Sequence, residues 1–298
     1  MSQKASETEN RVFTYNTLVE LSEKDTPILS AMSTLLSRVS RALFGDIMAK
    51  KEITILKKEY IRKFGITARQ FNSCRVNVEG VIKSLTQLMK QRIQDLQQSI
   101  DRLEVNIKTL SSKKIHRFKI FQKRKRLNRL NQKLMKLKED LKNGKVRLCF
   151  GGKKLFNAQF DLNQSCYNSH VEWKKEWEKS RNNSFFLIGS KDETAGNQSC
   201  TATIQPDGKF SLRVRIPDAL HEQYGKYLII KNVYFSYGHE HITSAIQSCL
   251  RRAELKGTDS LLGTPISFRF MQKEKGWYIA VSIALPQQIG RASCRERV

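Results

Sequence analysis

The side chains of this chain that could do chemistry are mostly cations, and they are clustered. Lys123-Arg124-Lys125-Arg126 is the densest run, and the stretch from Lys113 to Arg147 holds about fifteen Lys and Arg against only Glu139 and Asp140. The whole chain carries 54 Lys and Arg against 28 acids, a formal net charge of +26 over 298 residues. A compact chain with that excess repels itself unless a polyanion is its usual partner. Phosphates would remove the cost of packing like charges side by side. Lys113, Lys114, Arg117, Lys119, Lys123, Arg124, Lys125, Arg126, Arg129 and Lys133 are therefore the first candidate nucleic-acid contacts. The competing reading is a merely solvated face. Phe118 and Phe121 lie inside the run and could stack on bases or pack at a helix end.

Catalytic patterns are absent from the sequence. Asp192 and Glu193 are adjacent carboxylates in a loop. Two-metal hydrolysis needs several carboxylates converging on ions about 3.5–4 Å apart, which one adjacent pair does not supply. His239 and His241 flank Glu240, which allows a metal site. Hydrogen bonds near the start of the following helix are the commoner use of such residues. The six cysteines, Cys74, Cys149, Cys166, Cys200, Cys249 and Cys294, show no CxxC spacing, which excludes a zinc ribbon or thioredoxin-type motif. No GxxxxGK[ST], HExxH or GxSxG is present. The expectation is a chain with no catalytic residue, no metal ligand and no cofactor of its own. Scattered cysteines and a polar N-terminus from Met1 to Arg11 predict a reducing, cytoplasmic setting. No apolar run approaches the roughly 20 residues of a spanning helix, so no membrane partner is expected.

The elements that must position these residues change character midway. Phe13 to Val19 reads as a strand. Thr26 is a candidate N-cap with Pro27 at the first helical position, and Ile28, Met32, Leu35, Leu36 and Val39 form a core-facing stripe. No proline intervenes between Pro27 and Pro206, so long helices are permitted. Met89, Ile93, Leu96, Ile100, Leu103, Ile107 and Leu110 follow heptad spacing, as do Leu127, Leu130, Leu134, Leu137 and Leu141. With a break at Ser111 to Lys114, this predicts an antiparallel helical hairpin.

Beyond Gly144 short strands are expected: Val146 to Phe150, Phe185 to Ile188, Cys200 to Ile204, Lys209 to Ile216, Leu228 to Phe235, Ile266 to Phe270 and Trp277 to Ile283. Gln205-Pro206-Asp207-Gly208 and Glu274-Lys275-Gly276 are hairpin turns. Helices are expected from His170 to Lys179 and from Ile242 to Leu255. This pattern suits a small oligonucleotide-binding barrel or a plain β-sandwich, which periodicity does not separate. Arg213 and Arg215 share the polar side of one strand, a normal position for phosphate contacts.

Several segments then look familiar. Phe64-Gly65-Ile66-Thr67-Ala68-Arg69-Gln70-Phe71-Asn72, with Arg75-Val76 and Glu79-Gly80, resembles TnpB-related proteins of the IS200/IS605 transposon group. So do Gly144 to Gly151 with Lys153-Lys154-Leu155-Phe156, Gly189 to Asn197, Ile216-Pro217-Asp218-Ala219-Leu220, and Tyr237-Gly238-His239-Glu240. Singly each is weak; five in order across nearly the whole chain make a specific match. The resemblance implies an RNA-guided DNA nuclease related to the small type V CRISPR effectors. A helical lobe and an oligonucleotide-binding-like wedge would grip guide RNA and the RNA–DNA duplex by shape and backbone. On this basis Arg69, Gln70, Asn72 and Arg75 are further candidate contacts, against a reading as helix capping and intrahelix pairing.

The family's Mg²⁺-dependent RuvC-like domain would follow the Trp277 to Ile283 strand, and the chain reaches only Val298. Ile289 to Val298 resembles instead the translation of a common sequencing adapter, so this tail is expected to be foreign to the natural chain. The expected fold is α+β, in four parts. Residues 1–22 are an N-terminal strand belonging to the wedge, 23–144 a helical recognition lobe with a long antiparallel hairpin, 145–285 an antiparallel β-barrel-like wedge, and 286–298 a non-native tail. The expected role is the RNA- and DNA-binding portion of such a nuclease. The alternatives are a stand-alone RNA-binding or structural coiled-coil protein, and a shortened regulator that does not cut.

Overall fold

A computed structural model describes residues 11–112, 117–191, 193–254 and 264–285. Strand β1 (Arg11–Leu18) is followed by helices α1 (Asp25–Met48), α2 (Ile53–Phe64), α3 (Ala68–Ser112) and α4 (Arg117–Lys142). Short helices α5 (Lys153–Ala158) and α6 (His170–Arg181) precede β2 (Ser184–Leu187), β3 (Cys200–Ile204) and β4 (Phe210–Arg215). The one-turn α7 (His221–Tyr224), β5 (Tyr227–Val233), α8 (His239–Glu254), β6 (Ile266–Lys273) and β7 (Gly276–Leu285) complete the order. The fold is α+β.

Local chemistry sets these boundaries. Helix α1 starts one residue before the expected Thr26 cap, because the Asp25 N–H already reaches the Ser22 hydroxyl at 3.2 Å and the Ser22 carbonyl at 3.1 Å. Pro27 falls in the first turn, where its missing N–H has no intrahelical partner to lose. Gly65, with φ +56°, closes α2 in the left-handed conformation. A Cβ there would lie 2.9 Å from the Ala219 nitrogen, so glycine also permits a close approach of two chain segments.

Helices α3 and α4 pack against each other as the expected hairpin. Every seam position from Met89 to Leu110 and from Leu127 to Leu141 is buried or half-buried, Ile100, Leu103, Ile107 and Leu134 most deeply. The break expected at Ser111 to Lys114 falls partly outside the described residues, and Lys113 and Lys114 fall wholly outside them. The expected strand at Val146 to Phe150 is a correction. Those residues form irregular chain in neither sheet, with Val146 buried. Their apolar character serves packing at the base of the hairpin, where no strand edge is offered.

The strands form two antiparallel sheets, ordered β1-β7-β6-β2 and β3-β4-β5. Hydrogen bonding closes neither into a barrel among the described residues, so the barrel-like expectation is corrected to a pair of open sheets. The physical reason is that β1 and β2 each end a ladder, while β3 and β5 end the other. In β4, Phe210, Leu212 and Val214 point into the core and Arg213 points out, as the alternation predicts. One apolar core joins α1, α2, the start of α3, α8 and both sheets. The hairpin seam stands apart from that core. The α3–α4 hairpin is thus an arm on a common body.

Candidate nucleic-acid interface

The sequence-predicted residues separate into three places. The first is the start of α3. Thr67 and Gln70 form a reciprocal cap, with the Gln70 N–H on the Thr67 hydroxyl at 3.2 Å and the Thr67 N–H on Gln70 Oε1 at 3.0 Å. Gln70 is fully buried, and its Nε2 donates to the Arg215 carbonyl at 3.0 Å. Arg69 Nη1 meets Glu193 Oε1 at 2.7 Å, with the Glu193 side chain only 2% exposed. Arg75 grips both oxygens of Glu79, at 3.0 and 3.1 Å. Asn72 is half-buried on the same helix.

The surrounding contacts explain this use of polar groups. The Ile188 N–H donates to Ser73 Oγ, the Ala219 N–H to the Gly65 carbonyl, and Arg269 Nη2 to Asn77 Oδ1, all within 3.0 Å. Burial holds the Arg269 guanidinium below its ordinary pKa. Nearby, Asn197 is fully buried. Its amide donates to the Leu187 and Ile266 carbonyls, and its oxygen accepts from the Ser199 and Cys200 N–H groups, at 2.9–3.1 Å. Three of the motif segments meet here, and what they build is the joint between helices and sheets.

The second place is α4. Arg117, Lys119, Arg124, Lys125, Arg126, Arg129 and Lys133 are exposed. Among the described residues none of them has an ion pair. Lys123 falls on the seam, three residues after Ile120 and four before Leu127, and is half-buried. With Ser99, Arg102, Leu103, Asn106 and Arg126 it lines a shallow groove of about 260 Å³. Arg102 thus brings a cation from α3 to the same groove. Phe118 and Phe121 are both largely exposed, so neither packs at the hairpin tip among the described residues. An apolar ring amid unpaired cations is a surface suited to base stacking and phosphate neutralisation.

The third place is the outer face of the β3-β4-β5 sheet. Arg215 pairs with Tyr227 across the ladder, and Arg213 with Ile229. Arg213 lies 4.9 Å from the Tyr227 ring centre, Arg215 5.5 Å and Lys226 5.8 Å. Tyr227 itself remains 41% exposed. Arg215 also meets Asp218 at 2.7 Å, which leaves Arg213 and Lys226 the freer cations. An aromatic face ringed by cations can take a base while its neighbours take the phosphates.

Sequence reasoning missed Tyr227 and Lys226 because strand pairing, not chain spacing, brings them to Arg213. It also missed Arg41, whose pKa is lowered to about 10, first by burial and then by repulsion from Arg181 and Arg38. The Arg41 guanidinium is held by the Arg181 carbonyl at 3.0 Å and Asn182 Oδ1 at 2.8 Å. Three guanidiniums from two distant segments gather there, which no local pattern announces.

The candidates for chemistry find other uses. Asp192 lies outside the described residues. Glu193 accepts from the Gln198 N–H at 2.8 Å besides binding Arg69. His239 stacks on Phe210 and reaches the Gly208 carbonyl through Nε2 at 2.9 Å, and His241 Nδ1 lies 2.7 Å from the Tyr15 hydroxyl. Among the described residues no group of three or more His, Cys, Asp or Glu is placed to hold a metal ion. Cys74, Cys149, Cys166 and Cys200 are free thiols, and burial pushes Cys74 up to about 11. No described helix is long and apolar enough to cross a membrane. Comparison with models of known protein families gives no match, and neither does comparison with curated proteins.

Proposed function

We propose that this chain is the nucleic-acid-binding portion of a TnpB-like RNA-guided DNA endonuclease, gripping guide RNA and its duplex with DNA. The observation that carries the reading is the outer face of α4, where, among the described residues, exposed cations stand without acidic partners on an arm packed against α3. A purely structural coiled coil interleaves its charges, as α3 does with Asp95, Asp101 and Glu104 among Arg92, Arg102 and Lys108. Helix α4 does not. The Tyr227 face offers a second, sequence-tolerant contact of the same kind. In this reading cutting belongs to a RuvC-like domain with Mg²⁺, and the residues here position the nucleic acid.

The test is binding of the chain to RNA from the end of its own mobile element across a salt series, beside an unrelated RNA and duplex DNA of equal length. Selective binding to the element RNA with a steep salt slope is the expected result. Equal, weak binding to all three would contradict it.

A further inference from the structure

An apolar cavity of about 510 Å³ opens at the base of the hairpin, between the two helices and the irregular chain that leaves them. Leu88 and Met89 of α3, Leu137 of α4, and Leu148 and Phe156 wall it. A space of that size lined by such residues is in the range of pockets that hold small organic groups. The walls are incompletely covered: Leu88 is 55% exposed and Phe156 39%. Phe156 is backed by the Trp177 ring at 5.4 Å, which steadies its face.

Four exposed cations, Arg92, Lys145, Arg147 and Lys153, also line the cavity. The acid there, Asp140, is tied to Arg147 at 3.1 Å. Arg92, Lys145 and Lys153 have no ion pair among the described residues. Val146 to Cys149 lies in neither sheet, so its peptide groups are not used by a ladder, and the Cys149 carbonyl accepts from the Gly152 N–H at 3.4 Å. Apolar side chains and exposed cations around one cavity suit the chemistry of a nucleotide, whose ring can enter among the apolar groups while its phosphates meet the cations.

We propose that this cavity takes one unstacked base of a bound single-stranded RNA segment, with its flanking phosphates held by Arg92, Lys145 and Lys153. The inference rests on the RNA-binding reading above and adds a base-dependent contact that charge alone does not provide. The probe is the element RNA carrying a fluorescent purine analogue at successive unpaired positions, together with matched abasic RNAs, titrated onto the full chain.

At one position the analogue should change its emission on binding, and the abasic RNA should bind about tenfold more weakly. Leu88→Trp, at an exposed position, fills the cavity and should erase that difference while leaving the salt slope unchanged. Phe156→Ala should weaken the same difference. If abasic and intact RNAs bind alike at every position while steep, selective RNA binding persists, the cavity proposal fails and the RNA reading stands. If RNA binding is itself unselective and weak, both fall. Tight binding of a fluorescent fatty-acid probe that RNA does not displace would assign the cavity to a lipid anion and overturn the proposal.

Discussion

Arg69 and Arg75, at the start of α3, each hold a carboxylate within about 3 Å, whereas the exposed cations from Arg117 to Lys133 on α4 hold none among the described residues. Both sets read alike in the sequence, as basic residues on a helix in a chain of net charge +26. The difference lies in what surrounds them. The start of α3 meets strand ends and loops from four other parts of the chain, so its polar groups are used to close the body. Among the described residues the outer arm packs chiefly against its partner helix, so its cations other than the half-buried Lys123 face solvent. Cationic residues at the crowded joint close the body, and on the proposed reading those on the arm serve a polyanionic partner.

That contrast can be broken from the joint side first. Asn197→Ala would leave two buried carbonyls and two buried N–H groups without partners, and should cost about 3–5 kcal/mol of stability in a denaturant melt. A loss below about 1 kcal/mol would mean that water enters and the joint is looser than described. Gln70→Ala removes the side-chain half of the α3 cap, the Thr67 N–H on Oε1, together with the bond to the Arg215 carbonyl, while the backbone N–H at 70 keeps the Thr67 hydroxyl; the expected loss is about 2 kcal/mol. The salt slope of RNA binding should not change in that variant, measured at a temperature where it remains folded. A reduced slope would return Gln70 to the interface side.

Tyr227→Ala should do the reverse, weakening RNA binding about tenfold with little change in melting temperature. The smallest expected effect concerns pH. Asp46 is held below the ordinary carboxylate range by hydrogen bonds from Lys51 and Tyr60. A group with a depressed folded-state pKa contributes stability that is present above its unfolded value, about 3.9, and lost as pH falls through the folded one. Asp46→Asn should therefore flatten the acid limb of stability slightly. Neutralising cations on α4 should leave that limb in place.

Much of the frame was legible. Heptad spacing located both arms of the hairpin, and the alternation of Phe210, Leu212 and Val214 located the strand that places Arg213 outside. Two local periods decide such elements, so one sequence suffices. What was not legible depended on which distant segments meet. The apolar run at Val146 to Phe150 has strand composition, but a strand needs an edge, and the chain there lies against the hairpin base instead. Gln70 looked like a polar contact because nothing local announces that the Arg215 carbonyl lies beside it. Tyr227 became part of a candidate site only through its register with Arg215.

The most direct test compares two variants of the chain in one salt series on the element RNA. In the first, Lys123, Arg124, Lys125 and Arg126 are all changed to Gln; in the second, Arg69 and Arg75 are. The account predicts that the first keeps its melting temperature, with stability within about 0.5 kcal/mol of the parent. Its log–log salt slope should flatten by about 2–3, in line with loss of up to four phosphate contacts. The second should melt lower and keep its slope. A hairpin variant with an unchanged slope, or a joint variant that flattens it without melting lower, would contradict the account.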